Sequence, residues 1–193
     1  KHSHCSPIMK NLNPTLWRTC RMLSGSTRIR LLRALHDQPG LNVTEYARAL
    51  NIGRSDASQE LRRIQSRGLL QSEHCGVSVI YRLGTDPQVA SAAPLLKALK
   101  STLDSFPPDQ DADICVMAHA FAHPKRIAIL KSLSNAPQTT DVLQKEVRTS
   151  FSNLHRHLQA ILASGLARRD AGALRLVSTT HPLAKTLFKL LPP

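Results

Sequence analysis

Aromatic residues are scarce: one Trp, two Tyr and four Phe make up 4% of the 193 residues. A core built from this chain is therefore aliphatic, drawn from Leu, Ile and Ala, as in small helical domains. Acidic residues are half as frequent as basic ones, 13 against 26, which leaves a net charge of +13. The four cysteines (Cys5, Cys20, Cys75, Cys115) have no C-x-x-C spacing, which argues against a zinc ribbon or a disulfide framework. A reducing cytoplasm is the expected compartment. No apolar run approaches the ~20 residues of a membrane span, so no membrane partner is expected. The first residues lack the basic start, apolar centre and small-residue cleavage site of a secretory signal. There is no Gly-rich phosphate loop, nucleophile elbow or convergent carboxylate pair, so no catalytic residue is assigned and no enzyme is expected.

What the chain does contain is one pattern used twice. In residues 150–166, Phe151, Leu154, Leu158, Ile161 and Leu162 share one face of a helix, and Ser152, Asn153, Arg156 and Gln159 share the other. Ser150 is placed to cap its start and Gly165 to end it. Residues 166–178 then read as two short strands around a turn at Ala171-Gly172. A half-buried helix with a polar outer face, followed by a β-ribbon, is the layout of a winged helix-turn-helix. An ordinary amphipathic surface helix is the alternative for this stretch alone.

The segment Arg28-Ile-Arg-Leu-Leu-Arg-Ala-Leu35 matches Arg126-Ile-Ala-Ile-Leu-Lys-Ser-Leu133 at an offset of 98, as Pro39 matches Pro137. Leu61, Ile64, Gly68 and Leu69 match Leu158, Ile161, Gly165 and Leu166 at 97. The repeat predicts a mainly α protein with small β-hairpin wings, built as two tandem winged helix-turn-helix domains. Residues 14–103 form the first, 104–113 an acidic Pro-containing linker and 114–193 the second. Charge follows the same division, with 15 basic against 6 acidic residues in 1–103, four Asp and no base in 104–113, and 11 against 3 in 114–193. Two basic units suggest a polyanionic partner.

In chain order, helices are expected over 14–23, 26–35 and 43–50, the last with Asn42 and Glu45 as a capping box. A tight turn at 51–53 leads to a helix over 54–67, and a wing over 69–83 turns near Cys75-Gly76. A helix over 86–103 should be kinked or divided by Pro94. The second unit should run as helices over 114–122, 125–133, 141–147 and 150–164, a wing, and a final helix opened by His181-Pro182.

Both halves resemble the winged helix-turn-helix domains of the ArsR family of bacterial transcription regulators. Gly25-Ser-Thr-Arg28 and His123-Pro-Lys-Arg126 are similar to the family's Asp-Pro-Thr-Arg-type opening of the second helix. Asn42-Val-Thr-Glu-Tyr-Ala-Arg-Ala-Leu50 resembles its first motif helix. His155-Arg-His-Leu158 resembles the Ser-Arg-His-Leu of its recognition helix, and Ser58-Gln-Glu-Leu61 keeps only the Ser and Leu. The resemblance implies DNA binding, and in the family one such domain per chain pairs as a homodimer through first and last helices. Two domains in one chain depart from that.

The family's metal sites are missing from their usual places, because residues 43–50 contain no Cys and the last helix no acid or inner His. His119 and His123 have i,i+4 spacing, but Pro124 interrupts the helix and no third ligand is near in sequence. His74-Cys75, and His2, His4 and Cys5 near the N-terminus, read as incidental. No metal or cofactor is expected.

The expected function is sequence-specific recognition of double-stranded DNA by a transcription regulator. Ser152, Asn153 and Arg156 on one helix, and Ser55, Gln59 and Arg62 on the other, are the expected base readers, Asn suiting adenine and Arg guanine. Arg63, Arg168, Arg169 and Arg175 are expected to hold phosphates. His155 flanks the buried face and is assigned neither way. The apolar faces of 16–23, 95–103, 114–121 and 183–191 are expected to pack within one chain as an intramolecular pseudo-dimer, with a homodimer of chains as the competing assembly. The alternative function is a protein-interaction scaffold built from paired winged-helix domains, and a large apolar patch over the polar helix faces would favour it.

Overall fold

Leu16–Leu23 (α1), Ser26–Asp37 (α2), Val43–Leu50 (α3) and Arg54–Gln65 (α4) are followed by a hairpin, Leu70–Cys75 (β1) and Ser78–Leu83 (β2), and by Ala92–Ser105 (α5). The computed structural model, which describes residues 15–192, then runs through a 3₁₀ turn, Pro108–Gln110, into Asp111–Phe121 (α6) and Pro124–Asn135 (α7). Gln138–Thr139 (β3), Thr140–Glu146 (α8), Phe151–Ala163 (α9), Ala167–Asp170 (β4), Ala173–Leu176 (β5) and Pro182–Lys189 (α10) complete the chain. The protein is mainly helical, with small antiparallel hairpins of the winged-helix kind.

Local chemistry explains most boundaries. Asn42 Oδ1 accepts from the backbone N–H of Thr44 (2.9 Å) and Glu45 (3.1 Å), while Glu45 Oε2 accepts from the Asn42 N–H at 2.7 Å. Three of the N–H groups that open α3 are thus satisfied by two side chains. Asn51 ends α3 in the left-handed region (φ 53°), turning the chain sharply into α4. In the second hairpin Ala171 (φ 46°) and Gly172 (φ 82°) are both left-handed, as a two-residue turn matched to strand twist requires. Gly68 (φ 71°) ends the α4 segment where a Cβ would stand 2.9 Å from Val89, so no larger residue fits.

The structure differs from the sequence expectation in four places. The helix expected over 86–103 begins only at Ala92, and Pro94 neither kinks nor divides it. Pro94 is its third residue, where a missing N–H removes no intrahelical bond. The expected linker over 104–113 is largely structured: α5 extends to Ser105, and Asp111 and Asp113 lie in the first turn of α6, where carboxylates favour the helix N-terminus. Strand β3 was not anticipated. It pairs with β5, making a three-stranded sheet in the order β3-β5-β4, and the same position in the first half is an isolated bridge, Asn42 to Ile80. Phe151, expected on the buried face of α9, is 61% exposed. His2, His4, Cys5 and the start of the helix expected from residue 14 lie outside the described residues.

Helix α1 packs on α6, α5 on α10, and α2 also on α6. Cys20, Leu23, Leu95, Leu99, Ile114, Phe121, Leu183 and Leu187 belong to a single buried apolar cluster that also includes the cores under α4 and α9. Each fully buried Leu or Ile contributes about 1.5–3 kcal/mol of transfer free energy. Phe121 meets Phe188 edge to face (centroids 5.2 Å apart), and Phe106 stacks on His181 at 4.8 Å. A polar tie crosses the same region. The Arg33 guanidinium, 9% exposed, donates to both Asp111 carboxylate oxygens (2.6–3.0 Å), to the Leu103 carbonyl at 3.1 Å and to the Phe106 carbonyl at 2.9 Å. Its hydrogen bonds to Asp111 hold Arg33 above the ordinary guanidinium range.

Candidate nucleic-acid interface

On α4, the buried residues Ala57, Leu61 and Ile64 leave Ser55, Gln59 and Arg62 exposed on the opposite side, one helical stripe at i, i+4 and i+7. Arg63 leaves that stripe: its Nη1 contacts Glu60 Oε1 at 2.5 Å, on the shoulder facing α1. The structure thus brings three of the four α4 candidates together and sets Arg63 apart. In α9, Leu154, Leu158 and Ile161 are buried, Ser152 and Arg156 exposed and Asn153 half-buried. Arg156 Nη2 donates to Asn153 Oδ1, and His155 is exposed, 3.0 Å from Gln159 through Nε2. Pre-aligned in this way, Asn153 and Arg156 form one hydrogen-bonding unit.

The hairpin after α9 exposes Arg168, Arg169 and Arg175. Arg168 and Arg175 are direct cross-strand partners, and Arg175 Nη1 is 3.2 Å from Asp170 Oδ2, which offsets their mutual repulsion. The hairpin after α4 carries Arg82 alone among arginines. Phe151, expected to be buried, opens α9, and Arg54 opens α4; both are exposed, and neither is among the expected base or phosphate ligands. Their signal is positional, since the residue after an N-cap points away from a core contacted from N4 onward.

The two halves differ where α2 and α7 begin. Arg28 Nη1 contacts Glu60 Oε2 at 3.1 Å, and its Nε donates to the Met22 carbonyl. Its counterpart Arg126 is 7% exposed, with Nη1 2.9 Å from His119 Nε2 and no carboxylate partner among the described residues. At the position matching Glu60 stands His157, its ring 4.5 Å from that of His123. His123 does not join His119 as a ligand pair. It caps α7, with Nδ1 accepting from the Lys125 N–H at 3.1 Å. Among the described residues no three His, Cys, Asp or Glu side chains gather to hold a metal ion.

Burial first, then the positive charge of His123, Arg126 and Lys125, pushes His157 down to about 4. The unfolded chain takes up a proton at this residue near the ordinary histidine value of 6.5 while the folded chain resists until about 4. Stability is therefore lost as pH falls through that window. Denaturation midpoints at pH 7 and pH 5 should fall less in His157→Gln than in the unsubstituted protein. His157→Glu, which supplies Arg126 with the carboxylate that Arg28 has, should raise the unfolding free energy by about 1–2 kcal/mol at pH 7. An unchanged pH response in His157→Gln would show that this residue does not carry it.

No protein-family model matches the chain, and no solved structure matches it. It is 32% identical over 97 residues to the Nodulation protein NolR of Rhizobium meliloti, an alignment covering 48% of this chain and 80% of that protein. None of the described helices is long and apolar enough to cross a membrane. Joined to a helical fold with antiparallel wings, that similarity means the chain belongs to the NolR family, small transcription regulators of the winged-helix type.

Proposed function

We propose that this regulator binds double-stranded DNA sequence-specifically through two tandem, ArsR-like winged helix-turn-helix domains, α1–α5 and α6–α10, and that it is not an enzyme. The observation that carries the reading is the exposed polar stripe on each of α4 and α9, each backed by a buried apolar face and each leading directly into a hairpin. Ser55, Gln59 and Arg62, and Ser152, Asn153 and Arg156, read base edges, with Phe151 available to a thymine methyl. Arg168, Arg169, Arg175 and Arg63 hold backbone phosphates. The repeated element order supports the tandem arrangement, as does an alignment that uses 80% of NolR but 48% of this chain.

The packing of α1 on α6 and α5 on α10 supports an intramolecular pseudo-dimer, which joins the first helices to each other and likewise the last. Because α4 and α9 carry different side chains, the preferred site on this reading is two unlike half-sites about one DNA turn apart. A scaffold would need a broad apolar patch over the same faces. The exposed large apolar residues among those described are Val77 in the β1–β2 turn, Val116 on α6, Val142 on α8 and Phe151 on α9, so they are spread over separate segments.

Selection from a random duplex library with the purified chain tests this. The expected outcome is an enriched asymmetric site, and Arg156→Ala should cost about 1–3 kcal/mol there and relax preference at one base position. Light scattering should give 21.3 kDa. Absence of enrichment would support the scaffold, while a long palindrome bound by a doubled mass would replace the pseudo-dimer with a homodimer of chains.

A further inference from the structure

Between α1, the start of α2 and the end of α4 lies an open cavity of about 480 Å³. Five guanidinium groups line it: Arg18 and Arg21 from α1, Arg28 from α2, Arg63 from α4, and Arg67 just beyond. One carboxylate, Glu60, serves this group, and it is shared between Arg28 and Arg63. Among the described residues no carboxylate reaches ion-pair distance of Arg18, Arg21 or Arg67. Residues 1–14 contain neither Asp nor Glu, so none is supplied from there.

Arg67 is half-buried, and its Nε is buried without a hydrogen-bond partner. Burial, and then the charge of Arg18, pull its guanidinium below the ordinary range. Arg18 in turn lies over the Trp17 ring at 5.1 Å. Like charges assembled against a protein wall repel one another, and an anion that enters relieves this repulsion and supplies the missing acceptors. Guanidinium forks match phosphate oxygens two at a time.

We propose that this cavity binds a small, multiply charged phosphate compound of the di- or triphosphate class. Three arginines without an acid call for more than a single negative charge, and the concave space suits a compact anion. Duplex backbone, which Arg63 of this lining is proposed above to contact, is the other source of the same chemistry. The cavity, however, sits at the C-terminal end of α4, and Arg67 is twelve residues from Ser55, about 18 Å along a helix axis. A bound phosphate compound ties the end of α4 to α1, the helix that packs on α6.

Calorimetric titration of the full chain with inorganic tripolyphosphate, in about 150 mM salt, tests the proposal. Saturable one-site binding is expected, with affinity lowered about tenfold or more in R18Q/R67Q. K97Q/K100Q, which removes the same charge from the exposed side of α5, should leave it unchanged. Duplex binding by R18Q/R67Q without tripolyphosphate should also stay unchanged. R18Q/R21Q, altered only at exposed positions, repeats the test should Arg67→Gln impair folding. The proposal is overturned by non-saturable binding, by equal losses in R18Q/R67Q and K97Q/K100Q, or by retained affinity in R18Q/R21Q. A comparable loss of duplex affinity in R18Q/R67Q would assign these arginines to the DNA backbone instead.

Discussion

Raising salt from about 50 to about 200 mM is expected to weaken duplex-DNA binding by roughly two orders of magnitude. Each phosphate neutralised by Lys or Arg adds about 0.9 to the slope of log affinity against log salt. The four arginines proposed as phosphate ligands (Arg63, Arg168, Arg169 and Arg175) would give a slope of about 3.6, hence about 150-fold over a fourfold rise. Two of the four begin in ion pairs, Arg63 with Glu60 and Arg175 with Asp170. The Arg175–Asp170 pair is exposed on both sides, and such pairs are worth about 0–1 kcal/mol, so a phosphate competes for Arg175 readily. Glu60 is 13% exposed but keeps Arg28 as a partner when Arg63 leaves it. Arg168→Ala combined with Arg169→Ala should lower the slope by about 2 while weakening all sequences alike. A flat salt dependence would remove phosphate contact as the basis of binding and leave the scaffold as the better account.

The second large effect concerns stability. Arg33→Ala should cost about 3–5 kcal/mol, because it strips a buried ion pair of one member and leaves the other unpaired. It would orphan the Asp111 carboxylate and the Leu103 and Phe106 carbonyls at once, and the Arg33 and Asp111 side chains are only 10% and 12% exposed. Arg175→Ala breaks a pair of similar chemistry at the exposed wing and should cost no more than about 1 kcal/mol. Urea denaturation of both variants checks the contrast. Equal costs would mean that Arg33 is not as enclosed as its surroundings indicate. Arg33→Met, of similar length but uncharged, separates lost packing from lost charge pairing.

Much of the fold was legible because its punctuation is local. Asn42 with Glu45, Asn51 before Ile-Gly, Ala171-Gly172 and His181-Pro182 each fix a boundary through groups within a few residues of one another. The elements that escaped depend on distant partners. Strand β3 is two residues long and exists because β5 offers it an edge. The 104–113 segment reads as a polar linker by composition, yet Arg33, 78 residues before Asp111 in the chain, gives that Asp a buried partner. Phe151 satisfies the helical apolar period, but it opens α9 beyond the reach of the core. The polar stripes of α4 and α9 were legible from spacing alone. The turning of Arg63 towards α1 was not, since spacing says nothing about the acid it meets. The arginine-lined cavity likewise draws on three helices separated in sequence.

The pairing of α1 with α6 and of α5 with α10 has a consequence for how such a protein changes over generations. In a homodimer every substitution is made twice, so neither recognition surface can be altered without its twin. Here α4 and α9 are encoded by separate codons on one chain and already differ at Ser55, Gln59 and Arg62 against Ser152, Asn153 and Arg156. Each can drift while the other holds its place. Glu60 on α4 and His157 at the matching place on α9 already differ too, one in an ion pair with Arg28 and the other a half-buried imidazole.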